Sequence, residues 1–111
     1  MNVQIFGTSK SFDCKKAERW FKERRIPYQY IDLLKKGVSP GEYRSIRQKI
    51  SFDELLDPTS KAYKALYMEY ITPDAAEEKL AEHPELYRTP IVRNGREVTV
   101  GFRPEVWETW K

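Results

Sequence analysis

The chain has one cysteine, Cys14, which follows Ser11 in the pattern Ser-x-x-Cys. An apolar run at residues 3–6 predicts a strand, residues 7–10 a loop, and Ser11 the start of a helix with Cys14 in its first turn. The first turn of a helix has unpaired N–H groups and a partial positive charge, which favour an anion such as a thiolate. Because the thiolate is the nucleophilic form of cysteine, this placement indicates thiol chemistry.

A structural role is the alternative for the same two residues. Ser11 is a good helix N-cap, and Cys14 would then be a small buried apolar residue beneath it. The pattern also supplies only half of the Cys-x-x-Cys pair of redox proteins. At the level of the sequence both interpretations stay open.

The elements that must position these residues follow from hydrophobic periodicity. Apolar residues recur at helical spacing over residues 12–25, Pro27 ends that helix, and residues 28–33 alternate as a strand. We expect this β-α-β unit to be parallel and right-handed.

The rest of the chain predicts further helices and a hairpin. Ser39 and Thr72 each precede a proline in the manner of a helix N-cap, and apolar residues recur at helical intervals over residues 43–70. Strand-like runs at residues 89–93 and 97–101 flank an Asn-Gly turn, and a short helix follows. The order β-α-β, helices, β-β-α predicts an α/β fold.

Length and composition predict one domain and a cytoplasmic protein. A chain of 111 residues is too short for two cores. No apolar run approaches the roughly 20 residues that cross a bilayer, and the N-terminus lacks the pattern of a secretory signal, so we expect no membrane contact. A single cysteine excludes an internal disulfide, and we expect a monomer.

The charges indicate a solvated surface. The 20 basic and 17 acidic residues are interleaved, whereas a nucleic-acid footprint would gather basic residues on one face, so we expect no direct nucleic-acid binding. The nearest thing to a cluster lies at residues 15–25, and its favoured role is the solvent face of the first helix. No residues have metal-ligand spacing and no glycine-rich phosphate loop occurs, so we expect no bound metal or other cofactor.

Several stretches together resemble the arsenate-reductase-like family that includes the ArsC, Spx and YffB groups. The matching stretches are IFGTSKSFDCKKAERWF, LYRTPIVRNG and VGFRPEVW, and they span nearly the whole chain. The resemblance implies a thioredoxin-like fold, with β-α-β and β-β-α halves separated by a helical insert at about residues 39–83, in a single domain over residues 1–111.

The resemblance also implies where catalytic residues would lie. In the arsenate-reducing branch the nucleophilic cysteine occupies the first position of the motif, which is Ser11 here. Basic side chains hold the oxyanion in that branch; their positions fall on Thr59, Thr89 and Arg103, with Arg88 one residue before Thr89. Of these three positions, only Arg103 is an arginine, whose planar guanidinium suits a tetrahedral oxyanion. These departures argue against arsenate reduction.

The substrate platform of the fold is retained. Pro90 resembles the family's cis-proline, and it would place the backbone of Thr89 beside the helix N-terminus, where thioredoxin-like proteins bind an extended peptide or glutathione.

The first functional hypothesis is a thiol-linked oxidoreductase. Cys14, with Ser11, would attack the disulfide of a small thiol or of a protein, and external glutathione or thioredoxin would restore it. The side chains and backbone groups expected to bind the substrate are those of Lys10, Arg88, Thr89, Pro90 and Arg103.

The alternative from another class is a non-catalytic, Spx-like regulatory module. Such a module would bind a protein such as the RNA polymerase α subunit.

Overall fold

The computed structural model describes residues 2–110. Its strands are β1 (Val3–Gly7), β2 (Tyr28–Asp32), β3 (Ile91–Asn94) and β4 (Glu97–Val100). Its helices are α1 (Phe12–Glu23), α2 (Leu33–Lys36), α3 (Pro40–Arg47), α4 (Phe52–Leu55), α5 (Lys61–Ala65), α6 (Pro73–Glu82) and α7 (Pro104–Trp107). A 3-10 helix, Pro84–Leu86, precedes β3.

The sheet has β1 in its interior. Its four strands follow the order β2-β1-β3-β4; β1 is parallel to β2 and antiparallel to β3, and β3 is antiparallel to β4. The parallel pair needs the crossover that α1 supplies. Gly95 turns the hairpin with a φ of 61°, a value that favours glycine. The predicted β-α-β and β-β-α halves are therefore confirmed.

One face of the sheet packs against α1 and α7. Alternate residues of β1 point to this face, so Val3 and Ile5 join the side chains that the two helices bury. The buried residues of this layer are Val3, Ile5, Ala17, Trp20, Phe21, Val92, Trp107 and Trp110. Trp20 and Phe21 of α1, Trp107 of α7 and Trp110 just after it therefore form core.

The helices between β2 and β3 cover the other face. Phe6, Ile31 and Ile91 point to this side and pack with Ile46, Leu55 and other buried residues of the insert. The insert is therefore part of the main core and supplies the second layer over the sheet.

Two predicted helix starts have the expected caps. The Oγ of Ser39 accepts a hydrogen bond from the N–H of Glu42 at 3.2 Å, and the Glu42 carboxylate accepts one from the N–H of Ser39 at 2.9 Å. This is a capping box. The Oγ1 of Thr72 accepts from the N–H of Ala75 at 3.3 Å at the start of α6.

The second strand ends one residue earlier than the alternation predicts. The carboxylate of Asp32 accepts a hydrogen bond from the N–H of Leu34 at 3.0 Å, so Asp32 acts as an N-cap and Leu33 opens α2. Gly37 ends this single turn with a φ of 65°. A local side-chain hydrogen bond thus outweighs the strand pattern.

Candidate functional site

The first turn of α1 begins where β1 ends. Ser11 is the N-cap of α1, and its Oγ accepts a hydrogen bond from the backbone N–H of Cys14 at 3.3 Å. The capping role that the sequence offers for Ser11 is therefore present, and its side chain is partly exposed. The hydroxyl is oriented by the helix it caps.

Cys14 is buried beneath this turn. Its side chain is 1% exposed, and its Sγ lies so close to Gly7 that a Cβ at position 7 would overlap it. Glycine at the end of β1 therefore makes room for the sulfur. A ligand in solvent does not reach Cys14 in this conformation.

A cleft of about 530 Å³ opens in front of the α1 N-terminus. Four of the predicted site residues line it: Lys10, Ser11, Arg88 and Thr89. The lining residues that the sequence did not single out include Leu34, Asp57, Glu85 and Tyr87. The cleft therefore lies between the first helix and the end of the insert.

A short bridge between distant segments forms the far wall of the cleft. The N–H of Arg88 donates to the carbonyl of Leu55 at 2.7 Å, and the N–H of Asp57 donates to the carbonyl of Leu86 at 2.9 Å. This pairing holds the segment at residues 86–88 against the insert and sets Arg88 at the edge of the cleft.

The Thr89–Pro90 peptide bond is cis, as predicted. Pro90 is buried, and its carbonyl accepts a hydrogen bond from the N–H of Gly101 at 2.8 Å. Within residues 2–110, neither the N–H nor the carbonyl of Thr89 forms a hydrogen bond. Thr89 lines the cleft, so a residue with unpaired backbone groups lies at its wall.

Arg103 does not line the cleft. It lies at the N-cap position of α7, where its Nε donates to Glu105 at 2.7 Å and both side chains are exposed. The hydrogen bond to Arg103 lowers the pKa of the Glu105 carboxyl. The binding role predicted for Arg103 stays a prediction.

Carboxylates of the cleft already have partners within the described chain, whereas its cations do not. Asp57 accepts hydrogen bonds from the N–H and hydroxyl of Thr59 at 2.9 and 2.6 Å, and Glu85 pairs with the His83 Nδ1 at 3.0 Å. Among residues 2–110, the recorded ion pairs do not include Lys10 or Arg88. These two cations are therefore free to meet an anionic group.

Neither a metal cluster nor a membrane-spanning helix occurs in the part of the chain that the structure describes. No set of three or more His, Cys, Asp or Glu side chains there is placed to hold a metal ion. None of its helices is both long and apolar enough to cross a bilayer.

Two tyrosines of β2 lie beside α1 and Cys14. The hydroxyl of Tyr28 donates to Glu18 at 2.9 Å; burial first, and then this hydrogen bond, raises the pKa of Tyr28 to about 12. Burial, followed by the charges of nearby acidic groups, raises the pKa of Tyr30 to about 12.

We expect the free energy of unfolding to fall as pH rises from about 10 towards 12. The unfolded chain ionises its tyrosines near their ordinary pKa of about 10, whereas Tyr28 and Tyr30 stay protonated in the native state. The stabilisation that the two tyrosines contribute is therefore complete below the pKa of the unfolded state. It is lost as pH rises through the pKa of the native state. Urea unfolding across this range measures the slope, and Tyr28→Phe should make it shallower. An identical slope in the variant would contradict the assignment.

A mixed sheet of this order, with α1 following its central strand and a cis-proline preceding its hairpin, defines a thioredoxin-like fold. The ArsC family model matches residues 6–110. The chain belongs to the ArsC family.

Known proteins agree with this assignment. The chain is 27% identical to the global transcriptional regulator Spx 2 of Oceanobacillus iheyensis, with 100% of this chain and 94% of that protein covered. An ArsC-family-related protein from Bacteroides fragilis superposes with a TM-score of 0.87 at 24% identity, covering 100% and 98% of the two chains. An arsenate reductase from Vibrio cholerae superposes with a TM-score of 0.83 at 24% identity, covering 96% and 94%. The structural matches at this identity establish the fold.

Proposed function

We propose that this ArsC-family chain is a non-catalytic binding protein whose cleft receives an extended segment of a protein partner. The observation that carries the proposal is the burial of Cys14 behind the first turn of α1, while Ser11 takes the position that lines the cleft. A serine hydroxyl needs a neighbouring base to act as a nucleophile. His83 does not line the cleft, and the cleft carboxylates Asp57 and Glu85 are already bound to Thr59 and His83.

The cleft offers the groups that an extended peptide uses. The unpaired N–H and carbonyl of Thr89 suit main-chain hydrogen bonds of the kind formed when a peptide adds to an exposed backbone edge. Leu34 is 50% exposed and gives the same cleft an apolar wall. Lys10 and Arg88 would meet a carboxylate of the bound segment.

The relatives support a regulatory role for this chain. Spx proteins of this family are described as global transcriptional regulators, so we propose regulation by protein contact for this chain as well. The RNA polymerase α subunit is the first partner to test, because the Spx branch that the sequence resembles binds it. Within this proposal the chain needs no bound cofactor.

A thiol-linked oxidoreductase is the second candidate, favoured by the place of Cys14 in the first turn of α1. The Cys14 thiolate would attack a disulfide, form a mixed disulfide and release one thiolate, and glutathione or thioredoxin would then reduce the product. This cycle requires the first turn of α1 to open, because the sulfur is buried in the closed form.

Partner capture with matched variants distinguishes the two candidates. Tagged wild-type chain, Cys14→Ala and Arg88→Glu are incubated at physiological salt with extract of the source cells, and bound proteins, including the RNA polymerase α subunit, are quantified. We expect Cys14→Ala to retain the partner within about twofold and Arg88→Glu to lose it about tenfold, since charge reversal at an interface weakens binding by that order.

The outcome for an oxidoreductase is different. Its captured proteins would be released by dithiothreitol and would be missing from the Cys14→Ala sample. That result, or equal capture by the wild-type chain and Arg88→Glu, would overturn the proposal of a non-catalytic cleft.

A further inference from the structure

The outward face of α1 combines basic side chains with one exposed aromatic ring. Its residues follow at helical spacing, opposite the buried side chains of the helix. We call this surface the α1 basic face, and it consists of Phe12, Lys15, Lys16, Arg19 and Lys22. All five side chains are exposed, and Phe12 is 79% exposed.

The cations of this face gather around aromatic rings. The Nζ of Lys15 lies 5.9 Å from the centroid of Phe12, and the Nζ of Lys16 lies 5.9 Å from the centroid of Phe102. The ion pairs among residues 2–110 are Arg47–Glu77, His83–Glu85 and Arg103–Glu105, all outside this face. The four cations of the face therefore lie outside the ion pairs of residues 2–110.

Three features of the face lower the stability of the protein when nothing covers them. The partial positive charge at a helix N-terminus disfavours cations there, yet Lys15 and Lys16 lie near the start of α1. Lys15 and Arg19 are four residues apart, a spacing at which like charges repel. Exposure of the Phe12 ring to water is a further cost. An acidic, partly apolar surface that covered the face would offset these costs.

We propose that the α1 basic face docks an acidic amphipathic helix of a partner protein. An apolar side chain of that helix contacts Phe12, and its carboxylates meet Lys15, Lys16 and Arg19. The inference rests on the proposed role in protein binding and adds to it a second contact surface and the charge of the partner. Aromatic and arginine side chains in such a cluster are typical anchors of protein interfaces.

The dimensions and flanks of the face favour a helix over a nucleic acid. The face runs along one helix of 12 residues, a length of about 18 Å. Glu23 follows on the same face and ends its run of cations at Lys22, so the basic stretch is no longer than one short helix. The ring of Phe12 offers apolar contact area that a phosphate backbone does not use.

Fluorescence anisotropy with a defined probe tests the inference. The probe is a fluorescein-labelled peptide of glutamate and leucine, about four turns long and arranged as an amphipathic helix. We expect the Lys15→Glu, Lys16→Glu double variant to raise its Kd about tenfold, and Phe12→Ala to raise it about fivefold. The matched control, Lys49→Glu with Lys61→Glu, changes the net charge equally on other exposed positions and should leave the Kd within about twofold.

Other outcomes overturn the inference. Equal weakening by the control pair would mean that net charge alone attracts the probe, and no measurable binding by the wild-type chain would exclude the docking surface. Mixed-sequence duplex DNA bound as tightly as the peptide, with the same dependence on Lys15 and Lys16, would assign the face to nucleic acid. Loss of the peptide in Arg88→Glu alone would place the acidic helix in the cleft. That last result would leave the proposed function intact.

Discussion

Replacing Trp107 with alanine should lower the free energy of unfolding by about 3–5 kcal/mol, the range for an aromatic side chain removed from a core. Trp107 is the last residue of α7, is 1% exposed and packs against α1. Its ring centroid lies 5.4 Å from that of Trp20, 5.1 Å from that of Phe21 and 5.4 Å from that of Phe102. Alanine would leave a cavity where these rings meet.

A conservative substitution separates packing from hydrogen bonding at this position. The Nε1 of Trp107 donates to the buried Oγ1 of Thr99 at 2.8 Å. Trp107→Phe keeps an aromatic ring but loses that donor, so we expect a smaller loss of about 1–2 kcal/mol. Urea unfolding followed by circular dichroism measures both variants. If alanine costs no more than phenylalanine, Trp107 does not hold the two helices together.

The α1 basic face depends on the same cluster. Phe102 packs edge-on against Trp107 and also receives the Nζ of Lys16. Phe102 and Trp107 therefore pack beneath α1 and help to fix the position of Lys16 on the α1 basic face. A loss of packing at Trp107 should therefore disturb the side chains of this surface as well as lower the free energy of unfolding.

Features set by nearby residues were predictable from the sequence. The caps of α3 and α6 rest on Ser39 and Thr72, each with a proline next to it, and the hairpin rests on its Asn-Gly pair. The buried rings of α1 rest on helical periodicity. Each signal is contained in a few neighbouring residues, so no knowledge of the tertiary structure was needed to recognise it.

The far wall of the cleft was not predictable in this way. Asp57 and Glu85 reach the cleft because the segments around Leu56 and Tyr87 form an isolated bridge. No local sequence pattern predicts a pairing between Leu56 and Tyr87, which are far apart in the chain. The prediction of Arg88 rests on its place one residue before Thr89, a signal that the family resemblance supplies.

The role of Cys14 also required the packing of two elements. A cysteine in the first turn of a helix is compatible with a reactive thiol or with a small core residue. Because β1 approaches α1 closely at Gly7, the sulfur of Cys14 packs into the core against that glycine. A glycine at the end of an apolar strand was the available signal, but glycine is also common in loops, so it did not decide the question.

Gly7→Ala should destabilise the fold by about 2 kcal/mol, because its methyl group would overlap the Sγ of Cys14 in a packed core. The Cβ of Cys14 at 3.3 Å and the ring of Tyr30 at 3.5 Å leave that methyl group little room to shift. Cys14→Ala alone should cost about 1 kcal/mol through the space that it empties. The double variant should lose less than the sum, with a coupling of at least about 0.5 kcal/mol, because alanine at position 14 vacates the space that the new methyl group needs.

Urea unfolding of the four proteins in this cycle gives the coupling directly, with Gly41→Ala as the control. Gly41 lies in α3, where an added Cβ meets nothing within 4 Å, so alanine there should be neutral or stabilising. Strict additivity of Gly7→Ala and Cys14→Ala would mean that the sulfur does not lie against Gly7. Cys14 could then turn towards the cleft, and the thiol-linked cycle would become the better account of this chain. A clear coupling would instead keep the thiol in the core and leave the cleft to binding.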